Sequence, residues 1–391
     1  MSKTASHLLI LASFVIISTF LIWLPHILST QNFWGLNFSS GFNTIYRNFD
    51  GLEYVVIAKS FYNPTLIAEI PQPLPAIYYA SHFPGYPLLI TLATPFLGYL
   101  KSMLFISLLF TILSAFAFYF LVRDFRLTGN PLLLTLIFLL LPARWIIVRS
   151  VGSPEPMFIF FVILSIYFFL KAVRHPSLIT HHSELITFSI WSSAIFGSIA
   201  QFTRPPGTLL AVALGLYVLW QGYHKKSIQY ILSFYPFILI PFTLLSIFYW
   251  FGIQFNDFFA YFHSGDNIHL TFLPFQIFNI NQFWVGTIWL EDIIYLILLG
   301  LLAGLLLVKQ KLYPLAFFVL TYIIASMFVA HRDLSRYTLP IAPFAMIAFE
   351  KILVSREFKI VLVILTLALY LYSQNFILQN SAPVPDLSYY D

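Results

Sequence analysis

Apolar runs about twenty residues long, separated by short polar breaks, dominate the chain. A helix needs about 20 mostly apolar residues to cross the hydrocarbon core of a bilayer. Stretches that pass this test lie near 8–28, 102–122, 131–148, 157–174, 185–203, 206–222, 228–252, 291–308, 312–330, 337–354 and 360–378. The pattern predicts an all-α, polytopic transmembrane helix bundle of about eleven spans. Residues 86–100 are apolar but short, and Pro87 and Pro95 interrupt them, so they read as a re-entrant or interfacial segment. The first run exceeds the ~7–15-residue core of a cleavable signal peptide, and no small-x-small cleavage site follows it. It is expected to stay as an anchor.

No internal repeat, low-complexity tract or appended soluble domain interrupts this pattern, so residues 1–391 read as one integral membrane domain. Two loops are long, 29–101 and 253–290, and a tail follows from 379 to 391 with Pro383 and Pro385 in it. Loops longer than about 12–15 residues in a compact protein are usually functional or disordered. The first loop is rich in aromatics and prolines, which argues against disorder.

Composition agrees with a lipid environment. The chain is 60% apolar and 9% charged, whereas a soluble domain carries roughly 25% charged residues. A formal charge of +5 with no long Lys/Arg run does not suggest a nucleic-acid partner, so none is expected, and no Gly-rich phosphate loop is present. The absence of cysteine rules out disulfides, thiol nucleophiles and zinc thiolates.

Charge also sets an expected orientation. With 86–100 not spanning, eleven Lys and Arg residues after the first loop fall on one side. Arg144, Arg149, Arg204, Arg332 and Arg336 fall on the other. The positive-inside rule then puts the N-terminus in the cytoplasm and the C-terminus outside. Eleven of the fifteen acidic residues fall on the outer face, an asymmetry that insertion does not require. That face is where chemistry is expected.

The first outer loop holds the densest set of candidate groups. It reads Arg47-Asn48-Phe49-Asp50-Gly51-Leu52-Glu53-Tyr54 and continues Val55-Val56-Ile57-Ala58-Lys59-Ser60 at helical spacing. Asp50 with Glu53 three residues on is a capping-box arrangement that satisfies backbone N–H groups at a helix start. The same carboxylate, held at the membrane surface, is a natural general base for an acceptor hydroxyl. Both readings stand on spacing alone, and a cap would also fix the side chain in place.

The residues now carry a resemblance. Phe49-Asp50-Gly51-Leu52-Glu53-Tyr54-Val55-Val56-Ile57-Ala58 followed by His82-Phe83-Pro84-Gly85-Tyr86-Pro87-Leu88-Leu89 resembles the GT-C glycosyltransferases, nearest to PIG-V-like mannosyltransferases and their bacterial relatives. Phe49 stands for the family's usual Trp, and His82 for the first Phe of its second motif. Ser153-Pro154-Glu155-Pro156-Met157-Phe158, Thr203-Arg204-Pro205-Pro206-Gly207 and Ser335-Arg336-Tyr337-Thr338-Leu339-Pro340 match further motifs in order.

The resemblance implies inverting transfer of a sugar, mannose by family habit, from a polyprenyl-phosphate carrier to an acceptor hydroxyl on the non-cytoplasmic face. Asp50 is the implied base. Substrate contacts are implied for Glu53, Tyr54, His82, Tyr86, Glu155, Arg204, Arg332 and Arg336. Arginine suits the carrier phosphate because its planar fork donates two hydrogen bonds at once. The plainer role for the arginines is snorkelling or pairing with Asp333 or Glu155. For Glu155 it is a favourable place at a helix start.

No metal or other cofactor is required on this reading. A divalent Mg or Mn is compatible with the chemistry, but no His/Asp/Glu set has metal-ligand spacing. The implied partners are the polyprenyl-phospho-sugar donor, membrane lipid, and a lipid, glycan or protein acceptor. The expected location is a bacterial or archaeal plasma membrane, or the endoplasmic reticulum of a eukaryote. Other classes share the topology. A transferase of the PMT/RgtA type would act on lipid A, polysaccharide or protein. A flippase or transporter would show paired broken helices and charges in an internal repeat. An O-antigen polymerase or ligase would lean on outer-loop arginines and histidines.

Overall fold

The computed structural model describes residues 2–174, 184–265, 270–286, 290–383 and 386–391. Parts of the second long loop therefore lie outside the described residues. Every apolar run singled out above holds helix. Those labelled here are α1 (Lys3–Ile27), α2 (Gly51–Ser60), α3 (Gly85–Leu97), α4 (Tyr99–Asp124), α5 (Pro131–Leu140), α6 (Ala143–Val148), α7 (Glu155–Val173), α8 (Glu184–Thr203), α9 (Gly207–Lys225), α10 (Leu239–Phe255), α11 (Glu291–Lys309), α12 (Tyr313–Ser326), α13 (Ala342–Ala348) and α14 (Arg356–Gln379). Among the described residues, seven helices are long and apolar enough to cross a membrane: α1, α4, α7, α8, Tyr235–Phe255, α11 and α14. The protein is an integral membrane protein, and its described residues are mostly helical, with no sheet among them.

Local chemistry explains where these helices start and stop. Ser2 accepts the Ala5 N–H to cap α1, and Ser355 accepts the Phe358 N–H to cap α14. Asn130 caps α5, whose first residue is Pro131, a position where a missing N–H costs nothing. The run 131–148 is two helices, because Pro142 cannot supply the hydrogen bond that would continue α5. Pro340 and Pro343 likewise divide 337–354 into short pieces, among them Leu339–Ile341 and α13.

The helices fall into two compact units. The first comprises residues 1–160, 249–266 and 350–391. Its core includes Leu11 and Val15 of α1 packed with Ala115 and Tyr119 of α4 and Leu139 of α5. At one end, His7 Nδ1 meets the Tyr119 hydroxyl at 2.9 Å, and Thr128 donates to Glu350 at 2.7 Å. At the other end, His26 Nε2 lies 3.0 Å from Gln374 Oε1, and Gln374 Nε2 donates to the Ile22 carbonyl. Ile16, Ile17 and Phe20 of α1 and Val363, Ile364 and Leu367 of α14 remain exposed. Such surface, on helices long and apolar enough to span, suits contact with lipid.

Helix α3 has 13 residues, which is about 20 Å at the α-helical rise and shorter than the hydrocarbon core. It doubles back on α4 at Gly98, whose φ of +75° favours glycine. The Tyr86 hydroxyl of α3 donates to the Met103 carbonyl of α4 at 2.7 Å. The first loop thus folds over the end of the unit where α1 finishes and α4 begins.

The second unit comprises residues 161–248 and 267–349. Ser165 and Ser193 exchange hydrogen bonds between α7 and α8, each hydroxyl reaching the other's carbonyl. Aromatic pairs join α9 to α12, with Trp220 5.0 Å from Tyr313 and Tyr217 5.8 Å from Phe317. Helices α11 and α12 pack side by side.

Candidate active site

Asp50 occupies the position before α2, as the Asp-x-x-Glu spacing predicts, but its side chain makes no capping hydrogen bond. Its backbone sits at φ −89°, ψ 22°, away from the extended conformation typical of a capping residue. The carboxylate is directed elsewhere: Oδ2 lies 3.9 Å from His82 Nε2, and the side chain keeps 34% of its exposure.

Three contacts fix the backbone around Asp50. Asn48 is buried and donates from Nδ2 to the Ile377 carbonyl at 2.7 Å. The Ala382 N–H donates to the Arg47 carbonyl at 2.8 Å, and Phe49 packs on Phe376 with ring centroids 5.4 Å apart. On the other side, Gly51 touches the turn between α6 and α7. A Cβ there would stand 3.0 Å from Met103 Sδ and 3.3 Å from the Gly152 carbonyl oxygen. At Gly152 a Cβ would come within 2.3 Å of Met103 Sδ. Two glycines and one methionine therefore set how closely the start of α2 approaches that turn.

His82 is held on several sides. Ser81 Oγ lies 2.7 Å from its Nδ1, and the Tyr54 ring meets it edge-on at 4.9 Å. The buried Tyr62 hydroxyl donates to the His82 carbonyl at 2.7 Å. Burial raises the Tyr62 hydroxyl well above its ordinary pKa, so it remains a donor.

Tyr54 continues the chain of contacts to Tyr86, its ring edge-on at 5.2 Å. The Tyr86 hydroxyl lies 2.7 Å from Ser107 Oγ and accepts the Ser153 N–H at 3.1 Å. Ser153 Oγ donates in turn to the carboxylate of the fully buried Glu155. Removing the Tyr86 hydroxyl would withdraw a partner from several buried groups, at about 1–3 kcal/mol for each group left unsatisfied. Asp50, Tyr54, His82, Tyr86 and Glu155 are thus brought together in the first unit.

Glu53 turns toward different neighbours. Its charge adds to burial in raising the hydroxyl pKa of Tyr79 and of Tyr390. The tail reaches this side of α2, where Lys59 donates to the carbonyls of Tyr389 and Asp391 at 2.8 and 2.9 Å. Burial pulls the Lys59 ammonium below its ordinary pKa, and the Asp391 carboxylate opposes that shift.

The three remaining residues belong to the second unit. Arg204 is buried, with its guanidinium 5.8 Å from the Tyr337 ring centre. Arg336 is 2% exposed and lies in the turn Leu334–Tyr337. His331 lies three residues before that turn, with its ring 4.8 Å from Tyr337. Arg204 and Arg336 therefore share a neighbourhood. Arg332 is exposed, 5.7 Å from the Phe283 ring. Among the described residues, no group of three or more His, Asp or Glu side chains is placed to hold a metal ion.

Sequence reasoning missed Ser107, Tyr62 and Tyr390, and quoted Ser153 within a motif without giving it a role. Ser107, Thr111 and Ser114 fall at helical spacing on α4, a polar stripe in an apolar run, and that stripe was the available signal. Nothing in the sequence marked Tyr62 or Tyr390.

No protein-family model matches the sequence, and no curated protein matches it. Solved structures do. ArnT from Cupriavidus metallidurans bound to undecaprenyl phosphate superposes with a TM-score of 0.56 at 13% identity, covering 94% of this chain and 64% of that one. The oligosaccharyltransferase of Archaeoglobus fulgidus, tethered to an acceptor peptide, superposes with a TM-score of 0.53 at 12% identity, covering 98% of this chain and 56% of that one. The chain has the GT-C fold. It spans a little under two thirds of the length of these GT-C proteins. At such low identity the likeness concerns the fold, and the chemistry must be argued from this chain's own residues.

Proposed function

We propose that this protein is a membrane glycosyltransferase that moves a sugar, mannose by sequence resemblance, from a polyprenyl-phosphate carrier to an acceptor hydroxyl. The observation that carries the proposal is the Asp50 carboxylate. It stands at a helix start without capping it, 3.9 Å from His82, within a GT-C fold. The ArnT structure with undecaprenyl phosphate supports a carrier of that chemical class.

In the proposed reaction Asp50 takes the proton from the acceptor hydroxyl as its oxygen attacks C1 of the sugar. The C1–O bond to the phosphate breaks, and the electron pair leaves with the polyprenyl phosphate. Attack opposite the leaving group inverts the configuration at C1. By the sequence resemblance alone, we assign recognition of the carrier phosphate to Arg204 and Arg336, whose guanidinium groups suit a two-point grip on an anion. The charge asymmetry of the loops supports placing the reaction on the non-cytoplasmic face, with the N-terminus inside.

The test is to incubate membranes that contain the protein and supply the acceptor, beside membranes that lack the protein, with a panel of labelled polyprenyl-phospho-sugars and measure which one is consumed. Consumption of the mannosyl carrier is expected. Consumption of a different carrier sugar would overturn the mannose assignment, and consumption of none would overturn the enzyme class.

A further inference from the structure

The second unit carries an apolar loop that the proposed reaction does not use. Between Leu270 and Leu290 the sequence holds no Asp, Glu, Lys or Arg. Residues 270–286 are tied to the end of α12. Thr271 N–H donates to the Phe328 carbonyl at 2.7 Å, and Phe275 N–H donates to the Met327 carbonyl. The loop also has a small core of its own, with Ile277 and Trp284 buried and the Trp284 indole N–H donating to the Ile277 carbonyl at 2.8 Å. Around that core, Phe272, Ile280 and Phe283 are turned outward at 93%, 79% and 75% exposure.

A patch of this kind is costly in water and marks a surface with a partner. Its place in the unit identifies the partner. The loop leads into α11, a helix long and apolar enough to span the bilayer. Ile294, Leu298, Leu302 and Leu305 are exposed along one side of that helix, the spacing of a continuous lipid-facing stripe. The loop precedes α11 by a few residues and so lies toward the end of that stripe. Apolar side chains such as Phe and Ile can enter the headgroup–acyl boundary there. The exposed Arg332 beside Phe283 adds one cation suited to a headgroup phosphate.

We propose that Leu270–Gly286 is a membrane-interface anchor that inserts Phe272, Ile280 and Phe283 into the headgroup–acyl boundary of the protein's own bilayer. The inference does not depend on the glycosyltransferase reading, and its test involves no sugar transfer.

The chain lacks cysteine, so single sites can be labelled without background. Phe272→Cys and Ile280→Cys are each coupled to an environment-sensitive fluorophore and reconstituted into phosphatidylcholine–phosphatidylglycerol vesicles. Asp386→Cys, an exposed position in the tail, serves as the water-facing control. Lipids carrying a nitroxide high on the acyl chain are expected to quench the Phe272 and Ile280 labels several-fold more than aqueous iodide does, with the reverse order at Asp386. Labels quenched mainly by iodide would place the loop in water and overturn the proposal. Labels reached by neither quencher would mean that protein covers the loop, which overturns it equally. Two separate sites keep the test decisive if one variant fails to fold.

Discussion

His82 Nε2 stands 3.9 Å from Asp50 Oδ2, beside a carboxylate that does not cap its own helix. The distance is longer than a hydrogen bond but short enough for each group to govern the other's position. Because the Asp50 carboxylate makes no capping bond, replacing it with Asn removes a base without removing a cap. Asn also caps helices about as well as Asp. We predict that Asp50→Asn keeps the thermal stability of the parent while transfer from a labelled polyprenyl-phospho-sugar falls by about 10²–10⁴-fold. Parent-level activity in a folded Asp50→Asn protein would remove the base assignment.

His82 is a positioning residue for that carboxylate. The Ser81 hydroxyl, the Tyr54 ring edge and the Tyr62 bond to its carbonyl all fix the imidazole. His82→Phe keeps a ring against Tyr54 and discards the polar face toward Asp50. The expected outcome is a kcat lowered by about 10- to 100-fold, the scale of a small displacement of a reacting group, with donor KM little changed. Steady-state kinetics separate the two constants. A change confined to KM would make His82 a binding residue instead.

The close approach of Gly51 and Gly152 around Met103 gives a prediction about packing. A methyl at Gly152 would lie 2.3 Å from Met103 Sδ, and overpacking of this kind costs about 1–3 kcal/mol. Gly152→Ala is expected to lower both stability and transfer, because it pushes on the start of α2 and so on Asp50. Adding Met103→Ala makes room for the methyl and should recover part of both, a non-additivity expected of touching residues. Melting curves and transfer assays on the two single variants and the double variant check this.

The fold was largely legible because lipid imposes one rule, that every backbone polar group be satisfied within its own segment. Twenty-residue apolar runs therefore announce helices directly, as at α1, α4 and α14. Helix breaks were harder to read. Pro142 and Pro340 sit inside runs whose hydropathy alone looks continuous, and only the missing N–H divides them. At the site, spacing located Asp50 before α2 but left its carboxylate open between a cap and a base. The carboxylate's neighbour His82 is thirty-two residues away, and no local pattern encodes that contact. The Tyr86–Ser107–Ser153–Glu155 chain joins three elements. Each member is an ordinary polar residue when read alone.

Arg336 gives the last prediction. It is 2% exposed, so its guanidinium is largely desolvated, and burial of that kind is costly unless the group makes directed contacts. Arg204 lies against Tyr337, the next residue along, which puts two guanidinium-bearing residues in one neighbourhood. Lysine keeps the charge of arginine but loses the planar fork that holds a phosphate at two points. If Arg336 grips the carrier phosphate, Arg336→Lys should raise the donor KM by about tenfold, the worth of one lost charge-assisted hydrogen bond. Acceptor KM and thermal stability should stay close to the parent values. A matched loss of stability with unchanged donor KM would instead make Arg336 a structural residue of the Leu334–Tyr337 turn.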